Sequence, residues 1–246
     1  MAIVECVDLT RTYGSGDTMV TALDHVDLQV PDGQFVAIMG PSGCGKSTLL
    51  NLVGGLDRPS AGKVLINGVD LTTLDDTKLT ELRRRKMGFV FQFFNLIPVL
   101  DAVENAALPL TLDGVKADEA RRRASEWLVR FGLQDRMKNR PDQLSGGQQQ
   151  RVAVARALVA EPALVLADEP TGNLDSRASE EIANLLHSIS HDYGRAIVMV
   201  THDPRIAAYA DRIVFLKDGG VVGDTRISEG HGVDEARGAM EKAGLL

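Results

Sequence analysis

The chain has 246 residues, 44% apolar and 25% charged, enough for a packed core in one large domain or two small ones. Its net charge of −7 argues against a strongly basic nucleic-acid binder, so no nucleic-acid partner is expected, and no stretch approaches the roughly 20 apolar residues that span a bilayer. Cys6 and Cys44 suit neither a disulfide framework nor a metal site, which points to a reducing compartment, and the start lacks the basic-then-apolar pattern of a signal peptide. A chain soluble on its own is expected.

Residues 2–9 and 20–30 carry apolar side chains at strand spacing, and Pro31-Asp32-Gly33 is a turn leading into the apolar run Phe35–Met39. Gly40-Pro41-Ser42-Gly43-Cys44-Gly45-Lys46-Ser47-Thr48 follows, and then the helical run Leu49–Val53. Strand, glycine-rich turn and helix in that order fit a phosphate-binding loop. Gly40, Gly43 and Gly45 let successive N–H groups turn inward around phosphate oxygens, and the helix start adds its own unpaired N–H groups. Lys46 is placed to reach the β- and γ-phosphates and the Ser47 hydroxyl to ligate Mg²⁺. A nucleoside triphosphate is the ligand this stretch predicts.

Gly54-Gly55 ends the helix, and residues 63–71, turning at Asn67-Gly68, read as a hairpin; a front portion of antiparallel strands is predicted. Residues 74–86 read as a helix ending in Arg83-Arg84-Arg85-Lys86, either a solvated face or a surface for a partner or lipid. Gly88–Phe91 is a buried strand. Gln92–Leu100 is apolar, broken by Pro98 and without period; it is either core or an exposed dock. Helices are expected at 101–112, 116–131, 148–160 and 177–191, with a short one after Pro204. Strands are expected at 163–167, 196–200, 212–216 and 220–222. This alternation predicts a mostly parallel sheet covered by helices. From Asp224 onward only a weak helical pattern remains, at 233–244.

Leu164-Val165-Leu166-Ala167-Asp168-Glu169 is an apolar strand ending in two carboxylates. Downstream of a phosphate loop, Asp168 is placed to hold Mg²⁺ or its water, and Glu169 to orient or deprotonate an attacking water. Leu144-Ser145-Gly146-Gly147-Gln148 puts a serine and two glycines at a helix start, a second anion site.

With these motifs in this order, the chain resembles an ATP-binding cassette (ABC) ATPase over about residues 2–223. The resemblance implies an α/β fold: a P-loop NTPase core with a mostly parallel sheet, an antiparallel β portion near the N-terminus, and an inserted helical subdomain at about 93–160 carrying the signature motif. Residues 1–223 would form the ATPase domain and 224–246 a tail of unknown role. Tyr13 fits the aromatic that stacks on adenine, unless it merely packs at a strand end. Gly40, Ser42, Gly43, Cys44, Gly45, Lys46, Ser47 and Thr48 fit the phosphate loop. Gln92 fits the glutamine that senses Mg²⁺ and water, which would join Ser47 and Asp168 at the metal. Asp175, in Gly172-Asn173-Leu174-Asp175, fits the loop that crosses a dimer and also reads as a helix cap. His202 fits the switch histidine beside the catalytic Glu169. Two copies would lie head to tail around two ATP molecules, each held by the lysine loop of one chain and by Ser145, Gly146, Gly147 and Gln148 of the other.

Asn51–Asp57, Phe91–Pro98 and Ala167–Asp175 resemble one branch, that of macrolide-export, lipoprotein-release and cell-division cassettes. That likeness implies an ATPase on the cytoplasmic face of the membrane, held there by a permease that docks near Phe93–Val99. The alternative is a regulatory ATPase that drives a permease-like partner without moving a substrate. Chromosome and DNA-repair relatives insert a coiled coil that is missing here, and ribosome-acting cassettes come two to a chain. Cys44 stands where many relatives carry serine; intact function with sensitivity to thiol reagents is expected.

Overall fold

Strand β3 (Phe35–Met39) shows how the layers arise. All five residues are buried, and they alternate: Phe35, Ala37 and Met39 enter one apolar cluster, Val36 and Ile38 the other. The same division runs through β7 (Leu164–Asp168), β8 (Ala196–Val200) and β9 (Arg212–Lys217), so continuous apolar runs are buried on both faces. With β6 (Met87–Phe91) and β10 (Gly220–Arg226) they form a six-stranded sheet in the order β10-β9-β3-β8-β7-β6, parallel except for the β9–β10 hairpin. The computed structural model describes residues 1–227 and 232–245.

A second, antiparallel sheet has the order β2-β1-β4-β5, built from β1 (Ala2–Tyr13), β2 (Val20–Pro31), β4 (Ala61–Ile66) and β5 (Val69–Asp70). Its inner residues, among them Val4, Leu23, Val26 and Val64, share a core with Leu49 and Leu52 of helix α1 (Lys46–Val53). On the other face of the parallel sheet lie α3 (Ala102–Leu112), α4 (Ala117–Arg130), α5 (Gly146–Leu158) and α6 (Ser176–Tyr193). Ala120, Ala124, Trp127 and Leu128 give α4 one apolar stripe at helical spacing, and that stripe is its buried side.

Several sequence expectations change in detail. β1 and β2 run beyond residues 2–9 and 20–30, because the two pair along nearly their whole length. The boundary expected at 223 falls inside β10, and helix α8 (Gly232–Lys242) buries Ala236, Ala239 and Met240 in the same cluster as the sheet. Among the described residues after 223, Ala236, Ala239 and Met240 therefore pack as part of this core. The arginines of α2 (Asp76–Lys86) are not simply a solvated face. Arg83 donates to the Gly55 carbonyl at 2.6 Å and Arg84 forms an ion pair with Asp113 at 2.8 Å, tying α2 to the ends of α1 and α3, while Arg85 pairs with Glu81 of the same helix at 2.7 Å. The 92–100 stretch divides: Leu96 packs on the core while Phe93 and Val99 remain 72% and 71% exposed.

Candidate active site

Parallel register lines up the chemistry. Ile38, Val200, Asp168 and Phe91 form one row across β3, β8, β7 and β6. Just beyond that row come Met39 and the start of the glycine loop, Thr201-His202, Glu169 and Gln92. Motifs scattered over more than half of the sequence thus meet at the carboxyl edge of one sheet, where open α/β folds bind ligands.

The glycine loop is held tightly from behind. A Cβ on Gly40 would stand 2.0 Å from the Leu216 carbonyl oxygen, and one on Gly45 (φ +104°) 2.3 Å from that of Ala22. Gly45 is also the N-cap of α1 and offers no side chain to its first N–H groups, which leaves them for an anion. Lys46 is buried, its ammonium donating to the carbonyls of Gly40 and Pro41 at 2.8 Å each, so its charge sits within the loop. Ser42 and Gly43 are exposed at the loop's crest, and Ser47 and Thr48 lie in the first turn of α1. The Ser47 hydroxyl donates to Asp168 at 3.3 Å. Burial pushes the Asp168 carboxyl above its usual range, against that hydrogen bond and reinforced by the nearby charge of Glu169.

Glu169 takes a left-handed backbone angle (φ +45°), unusual for a side chain of its size. Its N–H donates to the Val200 carbonyl and its own carbonyl accepts from Gly172, so flanking bonds fix the strained turn. The carboxylate lies 3.0 and 3.1 Å from Nδ1 of His202. The glutamate is mostly enclosed and the imidazole mostly exposed. Gln92 reaches the following loop: its amide donates to Asn173 Oδ1 at 3.4 Å, while Asn173 donates back to the Gln92 carbonyl at 3.0 Å.

Tyr13 ends β1 some way along the molecule's edge. Its hydroxyl donates to Asp57 at 2.8 Å, the Arg11 guanidinium lies 4.5 Å from its ring centre, and the ring is still partly exposed. The second anion site expected from the sequence is separate. Ser145, Gly146, Gly147 and Gln148 line a cleft of about 430 Å³ with Asn173 and Asp175, and no residue of the glycine loop reaches it. Ser145 caps α5 in a reciprocal pair with Gln148, and Asp175 caps α6 through the Ala178 N–H at 2.9 Å. The glycine loop and the serine–glycine helix start therefore do not share a cleft.

The thiol sensitivity expected of Cys44 does not suit its surroundings. The side chain is buried, and burial raises its pKa despite the Lys46 charge beside it. Cys6 is pushed up to about 12 by burial, with the Asp27 charge adding to the shift.

Two residues of α5 escaped the sequence reading. Gln150 is fully buried and donates to the Pro170 carbonyl at 2.6 Å, and Arg156 donates to the carbonyls of Phe94, at 2.7 Å, and Asn95. The available signal was a polar residue on the apolar face of a helix, with Val154 and Ala157 as neighbours.

Comparison with known proteins shows the family. The family described as ABC transporter matches residues 23–172. The chain is 49% identical over 223 residues to the uncharacterized ABC transporter ATP-binding protein MJ0796 of Methanocaldococcus jannaschii, covering 89% of this chain and 95% of that one. A dimeric post-hydrolysis structure of MJ0796 bound to ADP and Pi superposes with a TM-score of 0.84 at 47% identity, covering 92% of this chain and 99% of the other. The macrolide export ATP-binding/permease protein MacB of Hyphomonas neptunium is 49% identical over 91% of this chain, which spans only 34% of that longer protein. The lipoprotein-releasing system ATP-binding protein LolD of Geobacter metallireducens is 47% identical, covering 91% of this chain and 99% of its own. No helix among the described residues is long and apolar enough to cross a membrane. This chain belongs to the ABC transporter family and is an ATPase subunit of that family.

Proposed function

We propose that two copies of this chain close head to tail around two molecules of ATP and that hydrolysis lets them part, driving a membrane permease. The carrying observation is the separation of the two halves: a lysine loop at one edge and a capped serine–glycine helix start in a cleft the loop cannot reach. A second copy supplies the missing face, and the MJ0796 relative is itself seen as a dimer with ADP and Pi.

In this reading the glycine-loop amides and Lys46 bind the phosphates, and Tyr13 lies against the base. Glu169 accepts a proton from the attacking water as that water's oxygen bonds to the γ-phosphorus. The bond from that phosphorus to the β–γ bridging oxygen breaks, and ADP and phosphate leave. His202 holds the Glu169 carboxylate, and Gln92 positions the water. The hydroxyl of Ser47 and the carboxylate of Asp168 are hard oxygen donors that suit Mg²⁺, with Gln92 alongside. When bound, Mg²⁺ neutralises charge on the β- and γ-phosphates. Ser145, Gly146, Gly147 and Gln148 take the partner's γ-phosphate, and Asp175 lies at the crossing between copies.

The permease would enter an apolar groove of about 610 Å³ lined by Leu56, Phe89, Phe91, Asn95, Leu108 and Arg156. Phe93 and Val99 stand exposed on the stretch that runs on from it. In this reading the chain works at the cytoplasmic face of a membrane, held there by the permease. The roles that the MacB and LolD relatives are named for, macrolide export and lipoprotein release, favour transport over a purely regulatory part. Glu169→Gln tests the hydrolytic reading: turnover should fall by about 10²–10⁴-fold with ATP binding kept, the usual loss for a general base. Turnover at the wild-type rate would remove Glu169 from this role.

A further inference from the structure

We propose that Gln150 is a positioning residue for hydrolysis, whose buried amide fastens the Glu169–Gly172 turn and the Phe91–Gln92 peptide to the signature helix. The claim rests on the reading of Glu169 as the base.

Helix α5 turns one face toward the catalytic loop. Near its start, Gly146 lies against Leu174 and Gly147 against Ala178. One turn deeper on that face, at the i+3 and i+4 spacing that stacks side chains along a helix, stands Gln150. Its Nε2 donates to the Pro170 carbonyl at 2.6 Å and to the Phe91 carbonyl at 3.4 Å. Two carbonyl acceptors require the NH₂ end there, which fixes the orientation of the amide. Its Oε1 is buried with no hydrogen-bond partner among the described residues. Leaving that atom bare costs stability, which a residue kept only for packing would avoid with leucine or methionine.

The two carbonyls are informative. Pro170 directly follows Glu169, whose left-handed backbone needs outside restraint, and the Phe91 carbonyl belongs to the peptide that carries Gln92. One side chain thus sets the spacing between the residue read as the base and the residue read as the water sensor. It does so from the helix whose capped start faces the other copy's nucleotide, so a pull on Ser145 reaches the Glu169 turn through one rigid element.

The experiment measures steady-state hydrolysis by the full chain carrying Gln150→Leu or Gln150→Glu. The expected result is a kcat at least about tenfold lower with KM for ATP within about threefold, the split of an interaction made in the transition state. ATP should still raise Tm. The double variant Glu169→Gln/Gln150→Leu should hydrolyse no more slowly than Glu169→Gln alone, because the two act on one step. A packing role would instead lower Tm and multiply the two losses. Wild-type kcat in either folded variant, a raised KM with kcat unchanged, or multiplicative losses would each overturn the proposal. Gln150→Met replaces Gln150→Leu if the latter does not fold. If Glu169→Gln itself turns over normally, the reading of Glu169 fails; if it is inactive while the Gln150 variants run normally, only the positioning role fails.

Discussion

Gly45→Ala probes how the glycine loop is built. The backbone at Gly45 has φ +104°, and an added Cβ would lie 2.3 Å from the Ala22 carbonyl oxygen and 2.8 Å from Leu23 Cδ2. Holding an L-residue in a left-handed conformation costs about 1–2 kcal/mol. The overlap is with the backbone of β2, which cannot rotate away, and overpacking of this kind adds about 1–3 kcal/mol. At about 2–4 °C per kcal/mol for a domain of this size, Tm should fall by about 4–20 °C. Gly43→Ala is the control: its φ is +80° but nothing lies within 4 Å of the added carbon, so only the conformational cost applies. Thermal unfolding of both variants without nucleotide, by calorimetry or fluorimetry, reads the difference. An equal or larger loss at Gly43 would refute the claim that β2 braces the loop.

Other outcomes follow from the same structure. Lys46→Ala should abolish the rise in Tm that saturating ATP gives the wild type, about 2.7 kcal/mol when ligand is at about 100 times Kd; a retained rise would place phosphate binding elsewhere. In the native chain both cysteines should react slowly with iodoacetamide at mildly alkaline pH and quickly once unfolded. Each thiol is buried with its pKa raised, so the reactive thiolate is scarce. Fast labelling of Cys44 in folded protein would contradict its enclosure. Polar replacement of Phe93 and Val99 should leave Tm unchanged while reducing recovery with membranes, since both side chains are exposed. The same change at Leu96 should cost stability, because that residue packs on the core. Unaltered membrane recovery would move the docking surface.

Much of the fold was legible because the parallel strands are buried on both faces and therefore read as unbroken apolar runs such as Phe35–Met39 and Ala196–Val200. The site was legible for a similar reason. Glycine at Gly45 and a carboxylate pair at a strand end are local demands that leave local signatures. What stayed hidden depends on partners distant in sequence. The bond from Gln150 to Pro170 and that from Arg156 to Phe94 join side chains to backbone carbonyls, which carry no sequence signal. Tyr13 could be read as an aromatic at a strand end, but its tether to Asp57, 44 residues on, could not. Helix α8 was faint because it packs through small residues, Ala236 and Ala239, whose apolar pattern is weak. The mixed fate of residues 92–100 also lacked a period to betray it: Asn105, fully buried, bonds both the Ile97 N–H and the Ile97 carbonyl and sets that loop from outside.

The most direct test asks whether the triphosphate itself joins two copies. Sedimentation of Glu169→Gln protein with ATP, with ADP, and with Ser145→Arg added should give a dimer in the first case only. A monomer with ATP, or a dimer indifferent to the arginine, would contradict the account.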